Sequence, residues 1–274
     1  MIVFIIPLMP SNFRSELRDK LWELCRSSLI KQKNKNWKAI LIGDDFLKQE
    51  LDCENFIYIE GDLYTKKEKL NKALQKMDVI FRDKPEYIMR LDCDDIISPF
   101  FLDQFYALNS KCDLYSDKYH VCIDPIYMSI SYRNANWITN SSVHKFEHAI
   151  SKYGPNNEPL FIIDHAVYWK KYYADKKIVY TNMLSIIYYR ILSPFSISSN
   201  NSKIKNTNQV NDYDFYLKGF GPWIVLKRDF FMFAEISEVS KMLEAHKNER
   251  TVTFRIFNYV KHCVNFFLNK QIER

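Results

Sequence analysis

The sequence predicts an α/β fold with a mostly parallel central sheet and a helical extension at the carboxyl end. Three observations carry this. Short β-branched runs alternate with stretches of helical periodicity from Met1 to about Phe105. Two of those runs end in clusters of aspartate. The chain has 274 residues and is 47% hydrophobic, enough to bury one substantial α/β core.

Each element follows in order. Ile2-Val3-Phe4-Ile5-Ile6 reads as a buried strand ended by Pro7. From Ser15 to Lys31, Leu17, Leu21, Leu24, Cys25, Ser28 and Leu29 recur at helical spacing. Residues 37–42 form a second strand, stopped by Gly43-Asp44-Asp45, and residues 56–59 a third. Thr65 to Val79 is a helix with Leu70, Ala73, Leu74 and Met77 on one face. Residues 87–91 form a fourth strand that runs into Asp92-Cys93-Asp94-Asp95. Ligands of such sheets sit beyond the carboxyl ends of the strands, so both acidic clusters are expected on one rim.

Further along, 116–131 has strand character, 134–137 reads as a turn, and 153–159 is a loop rich in Pro and Asn. Phe161-Ile162-Ile163 reads as a short strand, followed by Asp164-His165 and a helix over 166–173. Residues 178–180 and 186–190 are the last strand candidates. Ser and Asn then dominate, with repeated Lys, up to Asp212. The expected organisation is a main domain over 1–198, a flexible loop or linker over 199–229 and a helical extension over 230–274. In that extension Phe254, Phe257, Val260, Val264 and Phe267 line up beside Arg255 and Lys261. Such a helix either packs on the domain or lies on a membrane as a peripheral contact.

Composition narrows the function. Only 5 glycines argue against a glycine-rich phosphate loop, and aromatics at 16% offer flat faces for stacking on sugars or bases. A net charge of +6 without a dense basic tract gives no nucleic-acid partner. None of the 6 cysteines falls in a C-x-x-C pair, so reduced thiols in a cytoplasmic protein are expected. No apolar run reaches about 18 residues, and the apolar Met1–Met9 stretch lacks a basic leader and a cleavage site. The expected location is the cytoplasm, with the inner face of the cell membrane as the alternative.

Asp92, Asp94 and Asp95 place three carboxylates within four residues at a strand end. Like charges held this close repel, and a divalent cation answers them. Mn²⁺ or Mg²⁺ takes hard oxygen ligands and shares them with substrate phosphates. The bland alternative is that Asp94 or Asp95 caps a helix starting near Ser98-Pro99, which accounts for one carboxylate and not three.

With these pieces in place, the chain resembles the nucleotide-sugar glycosyltransferases of the A-type, Rossmann-like fold, near glycosyltransferase family 2. The likeness covers Met1 to about Phe105: a first strand ending at Pro7, the segment Ser28-Leu29-Ile30-Lys31-Gln32, the acidic pair Asp44-Asp45, the element Leu70-Asn71-Lys72-Ala73, and Asp92 to Pro99. It continues with Asp164 opening a helix, where Ile163 stands in place of the family's glutamate, and with Tyr189-Arg190. Met89-Arg90-Leu91-Asp92 is similar to a rhamnosyltransferase group within it.

The resemblance implies a metal-dependent, inverting glycosyltransferase. Its donor would be a UDP or dTDP sugar and its acceptor a glycan or lipid-linked hydroxyl, in bacterial surface polysaccharide synthesis. It divides the main domain into a nucleotide half, about 1–105, and an acceptor half, about 106–198. Pro7, Asp44, Asp45, Lys69, Asn71, Arg90, Asp92 and Arg190 would bind the nucleotide sugar. Asp92, Asp94 and Asp95 would hold the metal, and Asp164 would be the general base, with His165 its rival. Two alternatives stand beside it: a metal-dependent nucleotidyltransferase or phosphoesterase, and a sugar-nucleotide-binding module without catalysis.

Overall fold

A computed structural model describes residues 1–13, 15–44, 53–61, 65–108, 112–134, 139–154, 156–164, 166–183, 185–193 and 220–244. Asp45, His165, most of the expected linker and residues 245–274, with the aromatic stripe, lie outside the described residues. The chain forms two compact units, Met1–Tyr119 with Ala135–Tyr188, and His120–Asn134 with Tyr189–Arg274.

In the first unit, strands β1 (Ile2–Pro7), β2 (Trp37–Gly43), β3 (Phe56–Glu60) and β4 (Tyr87–Arg90) fall where the β-branched runs predict. β1 pairs with β2 and β4 in parallel, and β2 with β3 likewise. β5 (Ile96–Ile97) follows the acidic run, and β6 (Leu114–Ser116), β9 (Ser142–Lys145) and β10 (Ile178–Tyr180) extend the sheet. The order is β10-β6-β9-β4-β1-β2-β3, and β9 runs antiparallel to both neighbours. The expected mostly parallel α/β sheet is therefore present.

Alternation along the strands divides the core between the two faces. Phe4, Ile6, Ala39, Leu41 and Met89 face one side, against Trp22, Cys25 and Leu29 of helix α1 (Glu16–Ile30) and Phe101 and Phe105 of α3 (Phe101–Ala107). Val3, Ile5, Ile40, Ile42 and Ile88 face the other, against Leu70, Ala73 and Met77 of α2 (Lys66–Ile80) and against Phe161.

Three local expectations change. α3 begins at Phe101 with no side-chain cap, so neither Asp94 nor Asp95 is spent as a helix cap. Leu160–Ile162 is a turn of 3-10 helix and not a strand, with all three side chains buried. The polar strand β9 was not expected. Short helices α4 (Phe146–Ala149) and α5 (Ala166–Tyr172) complete this unit.

The second unit contains β7 (Tyr119–Asp124), β8 (Ser129–Asn134), β11 (Tyr188–Ile191) and β12 (Ile224–Val225) in the order β12-β8-β7-β11. Cys122, Leu192, Phe220 and Trp223 form its core cluster, and helix α6 spans Phe233–Met242.

α2 starts with a complete capping box. Thr65 Oγ1 accepts from the Glu68 N–H at 3.2 Å, and Glu68 Oε2 accepts from the Thr65 N–H at 2.9 Å. Thr65→Ala removes half of it and should cost about 1 kcal/mol. A lower urea midpoint at unchanged m-value checks this.

Candidate functional site

The parallel register brings the strand ends together. Ile5 lies level with Ile40 and Arg90, so Pro7, Asp44 and Asp92 all lie at the carboxyl rim of adjacent strands. The expectation that both acidic clusters share one rim holds for Asp44 and the run from Asp92.

Asp92, Asp94 and Asp95 each offer a carboxylate oxygen, and these atoms lie within 4.8 Å of one another. Asp92 and Asp94 are half-buried and Asp95 is buried. Such an all-oxygen set has the hardness that Mg²⁺ or Mn²⁺ prefers, and its atoms lie near enough together to hold a cation after small adjustment. Each of two members has described partners that the sequence did not announce. Lys66 Nζ pairs with Asp92 Oδ1, and Asn140 Nδ2 donates to Asp92 Oδ2. Tyr188 donates its hydroxyl proton to Asp95 Oδ2.

Behind Tyr188 sits Asp117, fully buried. Its Oδ1 accepts from Thr181 Oγ1 at 2.7 Å and from the Ile187 N–H at 2.9 Å, and its Oδ2 from the Tyr188 N–H at 3.1 Å. Burial pushes the Asp117 carboxyl up to about 7, and these three hydrogen bonds oppose that rise. On the other flank, Gln32 and Ser28 of the α1 end anchor the chain just past the acidic run. Gln32 Nε2 donates to the Ser98 carbonyl at 2.7 Å, Gln32 Oε1 accepts from the Leu102 N–H at 3.3 Å, and Ser28 Oγ accepts from the Ile97 N–H at 3.2 Å.

Asp44 accepts from the Ser11 N–H at 2.7 Å. Desolvation opposes its ionisation, but the Ser11 bonds and the Lys69 charge outweigh that, and the carboxyl is held below its ordinary value. Lys69 is buried on α2 and donates to the Leu8 carbonyl at 2.6 Å. Burial lowers its pKa, opposed chiefly by the charge of Asp44. Asn71 is half-buried one residue beyond Leu70 on the same helix.

Arg90 lies on the α2 side of the sheet by alternation, and it is fully buried. Its NH1 reaches Asp164 Oδ1 at 2.8 Å, its NH2 the Ile163 carbonyl at 3.3 Å, and its guanidinium lies 5.4 Å from the Trp169 ring centre. Burial lowers its pKa and Asp164 works against that. The Asp164 side chain is 66% exposed, so one wet carboxylate answers one dry guanidinium. Arg190 belongs to the second unit. There its charge, after burial and ahead of that of Arg133, helps push His120 down to about 3.

Among the described residues, Cys25, Cys53, Cys93, Cys112 and Cys122 are free thiols. No described helix is long and apolar enough to cross a membrane.

No family model matches the chain, and no curated protein matches it. Among solved structures it is similar to S. aureus TarS 1–349 in complex with UDP-GlcNAc, at 12% identity and a TM-score of 0.49, over 79% of this chain and 64% of that one. It is also similar to the bifunctional IspDF from Campylobacter jejuni, at 15% identity and a TM-score of 0.40, over 74% of this chain and 54% of that one. A third is 4-diphosphocytidyl-2C-methyl-D-erythritol synthase from Anaerococcus prevotii, at 12% identity and a TM-score of 0.42, over 68% of this chain and 89% of that one. The chain thus spans less than two thirds of the TarS and IspDF chains that it matches.

Two outcomes follow from these contacts. Asp164→Asn leaves the Arg90 charge buried without its counter-ion, at about 1–3 kcal/mol after allowance for the solvent around Asp164. Arg90→Met removes the buried charge and leaves a carboxylate that water solvates, so its loss should be smaller; denaturant melts of the two variants check the order. Separately, Asp117 has a folded pKa above its unfolded value near 3.8, so its contribution to stability is full below about pH 4. That contribution is lost as pH rises through about 7, and Asp117→Asn should flatten the stability profile between these limits.

Proposed function

We propose that this protein is a divalent-metal-dependent glycosyltransferase that takes a sugar from a nucleoside-diphosphate donor, of UDP or dTDP type. The observation that carries the reading is the set of three carboxylates, Asp92, Asp94 and Asp95, with oxygens within 4.8 Å at the carboxyl rim of a parallel sheet. Mn²⁺ or Mg²⁺ held there supplies charge neutralisation for a departing diphosphate.

The chain's own residues would divide the remaining tasks. Asp94 and Asp95 hold the cation, with Tyr188 fixing the Asp95 carboxylate. Asp44, on the same rim and ionised, accepts the N–H of the nucleotide base, with Asp45 beside it in sequence. Lys69 and Asn71 bound this pocket from α2, and Pro7 closes it at the end of β1. An acceptor hydroxyl of a glycan or lipid-linked sugar must lose its proton as it attacks the anomeric carbon. Asp164 is the proposed base, since its carboxylate is exposed to an incoming acceptor while Arg90 fixes its position; His165 is its rival. Direct displacement of this kind inverts the anomeric configuration. Arg90 then acts through Asp164 rather than on the donor.

Calorimetric titration of UDP and dTDP, with and without Mn²⁺, tests the reading. Saturation at 100 times Kd should stabilise the folded protein by about 2.7 kcal/mol. Asp94→Asn should keep the fold and lose the Mn²⁺-dependent part of nucleotide affinity; equal Mn²⁺-dependent affinity in both proteins overturns the site. Release of nucleoside diphosphate from the matching nucleotide sugar favours glycosyl transfer, whereas nucleoside monophosphate or pyrophosphate indicates nucleotidyl chemistry.

A further inference from the structure

Lys66 is the first residue of α2, and no motif in the sequence singles it out. Its ammonium pairs with Asp92 Oδ1 and donates to Asn140 Oδ1 at 3.3 Å, while Asn140 Nδ2 donates to Asp92 Oδ2. The three side chains close a ring on one member of the carboxylate cluster. Lys66 and Asp92 are 30% and 27% exposed, so the ring is open to ions and ligands from solvent.

This ring has a consequence for binding. A divalent cation sits about 2.0–2.2 Å from a carboxylate oxygen. An ammonium bonded to the same carboxylate is then within about 5–6 Å of that cation, and charges of +1 and +2 at that separation repel. A diphosphate reverses the sign of the effect, because its oxygens attract both cations at once. We propose that Lys66 couples the two ligands of this site: it opposes a divalent cation arriving alone and favours the cation together with a nucleoside diphosphate. Asn140 keeps the Asp92 carboxylate oriented while the ammonium shifts from carboxylate to phosphate. The inference rests on the metal and diphosphate reading of the cluster. It adds that the two ligands bind as one unit, and that a residue outside the cluster makes them do so.

Binding is reciprocal, so the coupling is measured from either side. Mn²⁺ is titrated into the full chain alone and at saturating UDP, and UDP is titrated with and without Mn²⁺. In Lys66→Met, Mn²⁺ alone should bind about tenfold tighter and UDP in the presence of Mn²⁺ about tenfold weaker, with UDP alone unchanged, so the coupling factor falls about tenfold. Lys66→Arg, which retains the charge, should retain the coupling, and Lys66→Gln serves if the methionine variant melts early. A lysine with only a structural role would weaken both ligands together, or neither, and either result in a wild type that binds both overturns the coupling while leaving the glycosyltransferase reading intact. A wild type that binds neither Mn²⁺ nor UDP overturns both.

Discussion

The concentration of negative charge at the carboxyl end of β4 is the constraint around which this unit is arranged. Asp92, Asp94 and Asp95 follow a strand that is itself fully buried, and no short segment can solvate three carboxylates there unaided. The fold meets the charge from several directions. Lys66 comes from the start of α2, Asn140 from the segment before β9, and Tyr188 from the last residue of the first unit. Asp117 then fixes the Tyr188 backbone, and Gln32 with Ser28 fixes the chain leaving the run. A cation and a diphosphate would complete an arrangement already organised to hold charge in place.

Much of this was legible in the sequence, and the parts that were not share a cause. β1 to β4 and α1 to α2 announce themselves through periodicity, because each buries a continuous face. The rim position of Asp44 and Asp92 followed from parallel pairing alone. β9 did not announce itself: Ser142-Val143-His144-Lys145 is polar, and its burial depends on neighbours distant in sequence. His144 is buried there against Trp169, with ring centres 4.4 Å apart and a hydrogen bond of 2.8 Å to Tyr173. Phe161-Ile162-Ile163 has strand composition, but Pro159 precedes it and the chain tightens into a 3-10 turn. Lys66 and Asn140 carry no local signal, since each matters only through Asp92.

Arg90 shows how a buried charge organises a neighbourhood. Period-two alternation sends its side chain to the same face as Ile88, into a layer otherwise apolar. The guanidinium survives there because Phe161 and Trp169 offer ring faces at 5.8 and 5.4 Å and Asp164 supplies the opposite charge. His144, packed in the same layer, is pushed well below its ordinary pKa by burial and then by the Arg90 charge, so it stays neutral. The position of Asp164 is therefore set from inside the fold, while its carboxylate meets solvent.

The antiparallel strand has a role that a parallel one would not fill. Parallel strands deliver their carboxyl ends to the rim, which is how Pro7, Asp44 and Asp92 arrive there. In β9, Val143 pairs with Met89 and Lys145 with Tyr87, so its amino end points the way β4 leaves. Asn140 stands three residues before Val143, as Asp92 stands three after Met89, and the antiparallel register sets the two opposite each other. α2 crosses back between β3 and β4, so its first turn, with Lys66, also opens at that rim. Strand exits, a strand start and a helix start thus converge on one carboxylate. Each arrives by a different stretch of chain, which is why the ring on Asp92 is a property of topology and not of any motif.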